Sequence, residues 1–272
     1  MKKTILLAIL VFSGLLSQAQ KEKPLQIGTT VTLHSAFLRE DRDINIWLPA
    51  GYQPDSISYP VVYLLDGGMQ EDFHHITGLV QFLGMTNQMP ASIVVGICNK
   101  DRKKDFTFPT NNAKDKKAYP TTGGSAAFIS FLQQELMPYV KKHYAVNTQR
   151  TVMGQSLGGL VAVEILTRFP EMFNNYMIVS PSLWWDDESL LKKVTPVISK
   201  YVGTPLRISI SVGKEGKVME EDAKSLYQNI SAAGNKRITV SFTPMDAENH
   251  LTILHNAAYK SLSWLSDTSA AK

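Results

Sequence analysis

Short apolar runs alternate along the chain with longer segments in which apolar residues recur at every third or fourth position. Runs of the first kind predict β-strands, and spacing of the second kind predicts amphipathic helices. The predicted strands lie at residues 30–35, 44–48, 61–65, 93–98, 150–153, 177–179, 206–212 and 238–242. The predicted helices lie at residues 125–144, 160–168, 222–233 and 253–265, and a polar stretch at 98–122 predicts a long loop.

The order of these elements predicts an α/β fold. The first two strands alternate in polarity, as the arms of an antiparallel hairpin do, whereas residues 61–65 form the continuous apolar run of a strand covered on both faces. Strands that alternate with helices further along indicate a mainly parallel central sheet with helices on both faces. No repeat or low-complexity linker interrupts the sequence, so we expect one domain over residues 24–268.

The N-terminal residues have the pattern of a cleavable signal peptide. Lys2 and Lys3 precede an apolar run at 5–16, and a small-x-small cleavage site ends at Ala19. The run is shorter than the roughly 20 residues that a membrane-spanning helix needs, and no cysteine follows for a lipid anchor. We therefore predict that residues 1–19 are a signal peptide and that the protein is periplasmic or secreted, without a membrane anchor.

The charge and the cysteine content argue against a nucleic-acid partner and against an internal disulfide. The formal charge of +4 falls to +2 without Lys2 and Lys3, and the other basic residues are dispersed or in short clusters. Such clusters are typical of solvated loops, so no nucleic-acid partner is expected. Cys98 is the only cysteine, which excludes an internal disulfide, and its apolar surroundings predict a small buried side chain.

Residues 154–158 read Gly-Gln-Ser-Leu-Gly, between a predicted strand and a predicted helix. This is the G-x-S-x-G pattern of a nucleophile elbow, a sharp turn that presents a serine hydroxyl above the sheet of an α/β-hydrolase. Glycines suit such a turn because they adopt strained backbone angles and allow close approach of neighbouring chains. Ser156 is therefore the predicted nucleophile, and the backbone N–H of Leu157 is a predicted oxyanion donor.

A serine nucleophile needs a general base, which in this fold follows the acid along the chain. Of the six histidines, His250 and His255 follow the last predicted strand, and His250 lies in the loop before the final helix. His250 is the predicted base, because His255 falls inside that helix. The adjacent pair His74-His75 lacks a complementary ligand set, so no metal site is expected.

The orienting acid is predicted in the turn after residues 206–212. Glu215 lies in that turn, and Asp222 or Glu221 at the start of the next helix are the alternatives. Its role would be to hold the imidazole tautomer and stabilise the imidazolium. A second oxyanion N–H is expected from the loop Gly67-Gly68-Met69.

Five groups of motifs resemble the esterase-D-like esterases of the α/β-hydrolase superfamily, which include siderophore trilactone hydrolases, feruloyl-type esterases and mycolyltransferase relatives. The motifs lie at residues 62–67, 101–107, 131–139, 154–160 and 180–185, the last reading Ser-Pro-Ser-Leu-Trp-Trp. The resemblance implies that Gly68 lends an oxyanion N–H. It also implies that Trp184 and Trp185 line an acyl or aryl pocket. Gln155 stands where relatives often have histidine, and some relatives work with a serine–histidine pair alone.

These observations together predict an exported serine hydrolase that cleaves a carboxylic ester, with no metal or organic cofactor. A siderophore trilactone or a carbohydrate-linked acyl or aryl ester is the predicted small-molecule substrate. Arg102 is a candidate for binding a substrate anion, with pairing to Asp105 as the alternative. An acyltransferase using the same residues, and an inactive binding protein on a hydrolase scaffold, are the competing interpretations.

Overall fold

The computed structural model describes residues 22–267. The predicted signal peptide, and the last residue of the predicted domain, lie outside this range. No helix within the described range combines the length and apolarity needed to cross a bilayer.

The described residues contain an eight-stranded sheet with the spatial order β1-β2-β4-β3-β5-β6-β7-β8. Its strands are β1 Thr29–Ser35, β2 Glu40–Trp47, β3 Tyr59–Leu64, β4 Ile93–Ile97, β5 Val146–Gln155, β6 Asn175–Val179, β7 Leu206–Gly213 and β8 Ile238–Met245. β1 pairs antiparallel with β2, and β2 with β4, while every later pairing is parallel. The predicted hairpin and the mainly parallel sheet are thus confirmed.

Helices cover both faces of this sheet. They are α1 Phe73–Met85, α2 Arg102–Asp105, α3 Ala113–Ala118, α4 Ser125–Phe131, α5 Met137–His143, α6 Leu157–Arg168, α7 Trp185–Glu188, α8 Leu191–Lys200, α9 Lys217–Ala232 and α10 Ile253–Ser266. Side chains of β3 alternate between the two cores, with Val61 and Tyr63 on one face and Val62 and Leu64 on the other. The helices α1 and α10 pack on the second face, and α4, α6, α8 and α9 pack on the first.

The helix predicted at 125–144 is interrupted where α4 meets α5. Residues Leu132–Leu136 form a π-helical turn, and Pro138 lies in the first turn of α5. Proline has no N–H for the helical ladder and clashes with the carbonyl four residues earlier, so the wider turn accommodates it. The predicted loop at 98–122 also differs, because it contains the short helices α2 and α3.

Parallel strands place their carboxyl ends at one edge of the sheet, which is where ligands bind in α/β folds. Ser156 follows β5, Glu215 follows β7 and the loop with His250 follows β8. The fold therefore brings the three predicted catalytic side chains to the same edge.

Candidate active site

Ser156 occupies a strained turn between β5 and α6. Its φ of 60° and ψ of −120° lie in a region that residues other than glycine rarely adopt. A Cβ on Gly154 would lie 2.4 Å from the carbonyl oxygen of Gly158, and one on Gly159 would lie 2.9 Å from Cα of Pro181. Glycine is thus required at positions 154 and 159 by close backbone approach, as the elbow pattern predicts.

His250 and Glu215 form a direct hydrogen bond. Nδ1 of His250 lies 2.5 Å from Oε2 of Glu215, and the carboxylate side chain is 2% exposed whereas the imidazole is 40% exposed. A carboxylate accepts hydrogen bonds only, so the proton of neutral His250 resides on Nδ1. Nε2 is then free to accept a proton, which is the arrangement a general base requires.

The Glu215 carboxylate is held in its charged form. Burial alone would raise its pKa, but hydrogen bonds from His250, Ser180 and the Gly213 N–H hold the pKa below its usual range. The hydroxyl of Ser180 donates to Oε1 at 2.5 Å, and the N–H of Gly213 donates to the same oxygen at 3.0 Å. Ser180 itself has a positive φ of 43°, a second point of backbone strain close to the site.

Neither alternative acid contacts the imidazole. Asp222 is buried in α9, and burial together with Glu188 and Glu221 raises its pKa to about 6. Its Oδ2 has no hydrogen-bond partner within residues 22–267. Glu221 is exposed and lies 3.9 Å from Lys217. Glu215 is thus the carboxylate that the fold brings to His250.

Ser156 and His250 line one pocket of about 360 Å³ at the carboxyl edge of the sheet. In the described part of the chain, the hydrogen bond of the Ser156 hydroxyl is to the Ser182 hydroxyl at 3.3 Å. The serine–histidine hydrogen bond of an activated nucleophile is therefore not formed. Such bonds are often long in the free enzyme and tighten when substrate binds.

Of the two backbone N–H groups predicted to bind the oxyanion, one is free of a helical acceptor and the other is already hydrogen-bonded. Leu157 begins α6, so its N–H has no acceptor within the helix. The N–H of Gly68 instead donates to Oε2 of Glu71 at 2.7 Å. Gly68 is therefore engaged by a carboxylate, and this contact must open before its N–H can reach a substrate.

Acidic side chains dominate the rest of the pocket lining. Asp66 accepts two hydrogen bonds from Arg102, at 2.5 and 2.8 Å, and Asp72 and Glu71 lie beside them. Burial, then the charges of Asp66 and Glu71, raise the pKa of Asp72 to about 6. Arg102 thus lines the pocket but is already paired. The proposed pairing with Asp105 is wrong, because Asp105 binds Arg42 at 2.8 Å.

The tryptophan pair does not form a shared substrate platform. Trp185 is completely buried and donates its indole N–H to the carbonyl of Phe108 at 2.9 Å, so it is a core side chain. The expectation that Trp185 contacts substrate is corrected on this ground. Trp184 is half-buried and packs against Tyr119, with ring centroids 5.9 Å apart. Neither ring lines the pocket that contains Ser156.

The other reactive side chains occupy different surroundings. Nε2 of His75 lies 2.8 Å from Nδ1 of His255, and the two rings stack. No group of three or more metal-ligating side chains is found among residues 22–267. Cys98 is half-buried, and burial together with Glu71 and Asp43 raises its pKa to about 11. It is therefore a thiol at neutral pH and a poor nucleophile.

Two side chains of the site went unrecognised in the sequence. Nε2 of Gln155 donates to the carbonyl oxygen of His250 at 2.5 Å, which ties the elbow to the histidine loop. Ser180 fixes the Glu215 carboxylate, as described above. The sequence indicates these two residues only through their positions, since Gln155 precedes the predicted nucleophile and Ser180 directly follows β6.

Comparison with known proteins relates most of the chain to one family. The family described as "Putative esterase" matches residues 35–259. The ferri-bacillibactin esterase BesA of Bacillus subtilis (strain 168) is 30% identical over 251 residues, covering 84% of this chain and 86% of BesA. The solved BES protein from Bacillus cereus has a TM-score of 0.81 at 26% identity, covering 91% of this chain and 99% of its own. An IroE-like serine hydrolase from Shewanella oneidensis has a TM-score of 0.80 at 26% identity, covering 88% and 80%.

Proposed function

Because the chain belongs to this esterase family of the α/β-hydrolase superfamily, we propose that it hydrolyses a siderophore ester through Ser156, His250 and Glu215. The protein is an esterase with a small-molecule ester substrate. The observation that carries the mechanism is the hydrogen bond between the buried Glu215 carboxylate and His250, whose imidazole lines the same pocket as the elbow serine. The choice of siderophore is supported by the relatives, among which BesA is named a ferri-bacillibactin esterase.

The first chemical step is acylation of the serine. The Ser156 hydroxyl oxygen attacks the ester carbonyl carbon while its proton passes to Nε2 of His250. The Leu157 N–H stabilises the negative charge that develops on the carbonyl oxygen. His250 then gives its proton to the alcohol oxygen as the ester bond breaks.

Water completes the turnover. His250 removes a proton from a water molecule, whose oxygen attacks the acyl-enzyme carbonyl carbon. The carboxylic acid leaves, and Ser156 regains its proton from the imidazolium. Glu215 stays ionised throughout, because its role is to hold the tautomer and stabilise the charged imidazole.

Glu71 controls the second oxyanion donor. Its carboxylate holds the Gly68 N–H, and its other oxygen accepts from Asn99 at 2.7 Å. A substrate carbonyl entering the pocket displaces this carboxylate, and Gly68 then donates to the oxyanion alongside Leu157.

The same proposal includes export. The charged, apolar and small-residue order of residues 1–19 fits a cleavable signal peptide. The protein would then act in the periplasm or outside the cell. Mass spectrometry of the protein recovered from its native host tests this, since a chain that retains residues 1–19 in the cytoplasm contradicts it.

The hydrolysis is tested with purified protein and three substrate types: a ferric trilactone siderophore, a simple acyl ester and a feruloyl ester. We expect Ser156-dependent opening of the trilactone, followed by mass spectrometry, to exceed turnover of the other two. Ser156→Ala should lower kcat by at least about 10⁴-fold. Glu215→Gln should lower it by about 10³–10⁴-fold, because the tautomer is no longer enforced.

The matched control is Ser231→Ala, which removes an exposed hydroxyl on α9. This variant should keep the full rate. Turnover of only the simple or feruloyl esters would retain the mechanism and reject the siderophore. Failure of a fluorophosphonate to label Ser156, with no product from any ester, would reject the catalytic role.

A further inference from the structure

A second cavity lies at the opposite end of the sheet from Ser156. Its volume is about 1290 Å³, against about 360 Å³ for the catalytic pocket. It is bounded by α5, the start of β5, the turn after α6 and the end of α8. Arg150 of β5 lines it and precedes Ser156, in the turn after that strand, by six residues, so the two sites are separated by about 20 Å.

Much of the wall of this amino-end cavity is apolar. The contributing side chains include Met137, Pro138, Phe169, Met172 and Val202. Val202 is 82% exposed and lies at the rim. Such a lining suits the hydrocarbon or aromatic body of a ligand.

Arg150 presents unused hydrogen-bonding capacity at the cavity wall. Its Nε is buried without an acceptor, and one terminal nitrogen donates to the Glu171 carbonyl at 3.2 Å. No carboxylate of residues 22–267 forms an ion pair with it. The other terminal nitrogen makes no hydrogen bond within residues 22–267, and it is the nitrogen that a ligand anion in the cavity would bind.

Tyr63 supplies a second unpartnered donor. Its side chain lines the cavity although the residue is only 3% exposed, and its hydroxyl makes no hydrogen bond within the described range. Burial raises the pKa of this hydroxyl, while the charge of Arg150 opposes the rise. Tyr63 thus remains a neutral O–H donor close to Arg150.

The charges around the cavity are predominantly positive. Lys141, Arg150, Arg168 and Lys200 line it, and the single acidic side chain of the lining is Glu171. Arg168 is neutralised by Glu164 at 2.6 Å, which leaves three cations against one carboxylate. An anionic group is therefore favoured over a neutral or cationic one.

We propose that the amino-end cavity binds a small carboxylate with an apolar body, the carboxylate on Arg150 and Tyr63 and the body against Met137, Phe169 and Met172. The site is separate from the catalytic pocket, and the proposal does not depend on ester hydrolysis. An arginine fork and a hydroxyl give the carboxylate directional hydrogen bonds, and the apolar wall selects against small inorganic anions.

Isothermal calorimetry with decanoate tests the proposal, with decanol as the ligand of equal length and neutral head group. We expect decanoate to bind at least about ten-fold more tightly than decanol. Arg150→Met should weaken decanoate binding by about ten-fold or more and leave decanol unchanged. Tyr63→Phe, which keeps the packed ring, should weaken decanoate by several-fold.

Lys236→Met removes an exposed cation that does not line the cavity and should leave the affinity for decanoate unchanged. Arg102→Gln removes the cation of the catalytic pocket and serves to locate the ligand. Loss of decanoate binding in Arg102→Gln but not in Arg150→Met would overturn the proposal, as would equal affinity for decanoate and decanol. Because binding is also measured in Ser156→Ala, its result is independent of whether the protein hydrolyses esters.

Discussion

At the scale of single residues, Gln155 links the turn of the proposed nucleophile to the loop of the proposed base. It precedes the nucleophile, and its amide donates to the backbone of His250, so one side chain couples serine and histidine positions. A misplacement of a catalytic group by about 1 Å can cost about 100-fold in rate. We therefore assign Gln155 a positioning role, which acts through the backbone of His250.

We predict that Gln155→Met, which keeps the length and loses the donor, lowers kcat by about ten-fold with little change in KM. The free energy of unfolding should change by less than about 1 kcal/mol. Steady-state kinetics and urea unfolding measure both quantities. Gln149→Met, on the exposed start of β5, is the matched control. An unchanged kcat in Gln155→Met would show that the hydrogen bond from Gln155 to the His250 carbonyl does not position the imidazole.

Asp72 makes the charge of the pocket depend on pH. Its pKa of about 6 means that the carboxyl is neutral well below pH 6 and negative well above it. Raising the pH through 6 adds a negative charge beside Asp66 and Glu71, which repels an anionic substrate. For two esters that differ by one negative charge, we predict that the ratio of KM, anionic over neutral, rises about three- to ten-fold between pH 5 and pH 7.5.

Asp72→Asn should keep that ratio constant over the same range. Taking the ratio cancels the titration of groups that act on both esters alike. If the ratio is flat in the unmodified protein, or still rises in Asp72→Asn, Asp72 is not the group responsible.

At the scale of elements, the sequence predicted strands more completely than helices. Strands such as β3 and β4 are continuous apolar runs, because both faces of the sheet are covered. α1 and α8 escaped prediction, since α1 contains Gly78 and Gly84 and α8 contains Pro196, which weaken a helical pattern. Tertiary packing rather than propensity stabilises these two helices.

In the candidate site, likewise, features within one short motif could be predicted from the sequence, whereas contacts between distant residues could not. The elbow is a five-residue pattern and is readable directly. The contact of Glu215 with His250 followed from chain order in the fold, but its distance did not. The Glu71 carboxylate accepts from the backbone N–H of Gly68, and the Asp66 carboxylate accepts from Arg102 at the start of α2. Neither hydrophobic periodicity nor motif spacing specifies such partners.

Two glycines of the elbow provide a matched test of its packing. A Cβ at Gly154 meets a backbone oxygen at 2.4 Å, whereas the nearest atom to one at Gly158 is a side-chain oxygen of Asp66 at 3.4 Å. We predict that Gly154→Ala lowers the free energy of unfolding by about 2–4 kcal/mol, and that Gly158→Ala changes it by less than about 1 kcal/mol. Urea unfolding of both variants decides this, and equal effects would mean that the elbow relaxes freely.

At the scale of the whole molecule, Asp222 links pH to stability. Burial raises its pKa to about 6 from 3.8, so the folded state favours the protonated form. Well below pH 3.8 the burial of Asp222 does not lower the free energy of unfolding, because the carboxyl is protonated in both the folded and the unfolded state. The cost to folding grows as the pH rises from 3.8 to about 6, where only the unfolded chain ionises freely, and it is complete above pH 6.

We therefore predict that Asp222→Asn raises the free energy of unfolding at pH 8 by about 1–3 kcal/mol and has little effect at pH 4. Urea titrations at the two pH values measure the difference. Asp55→Asn replaces an exposed carboxyl in a turn and should change neither value. If Asp222→Asn raised the free energy of unfolding equally at pH 4 and pH 8, the increase would come from packing and not from the removed charge.

The strand order has a consequence for how activity begins in a chain under synthesis. β5 to β8 lie side by side in the order in which they are made. Ser156, the proposed nucleophile, is synthesised about 90 residues before His250, the proposed base. At translation rates of about 5–20 residues per second, that interval lasts roughly 5–20 s. The loop with His250 is directly followed by α10, whose Ile253 and Ala257 are fully buried. On the proposed mechanism, a nascent chain thus carries Ser156 without its proton acceptor, and we expect activity only after α10 has been made.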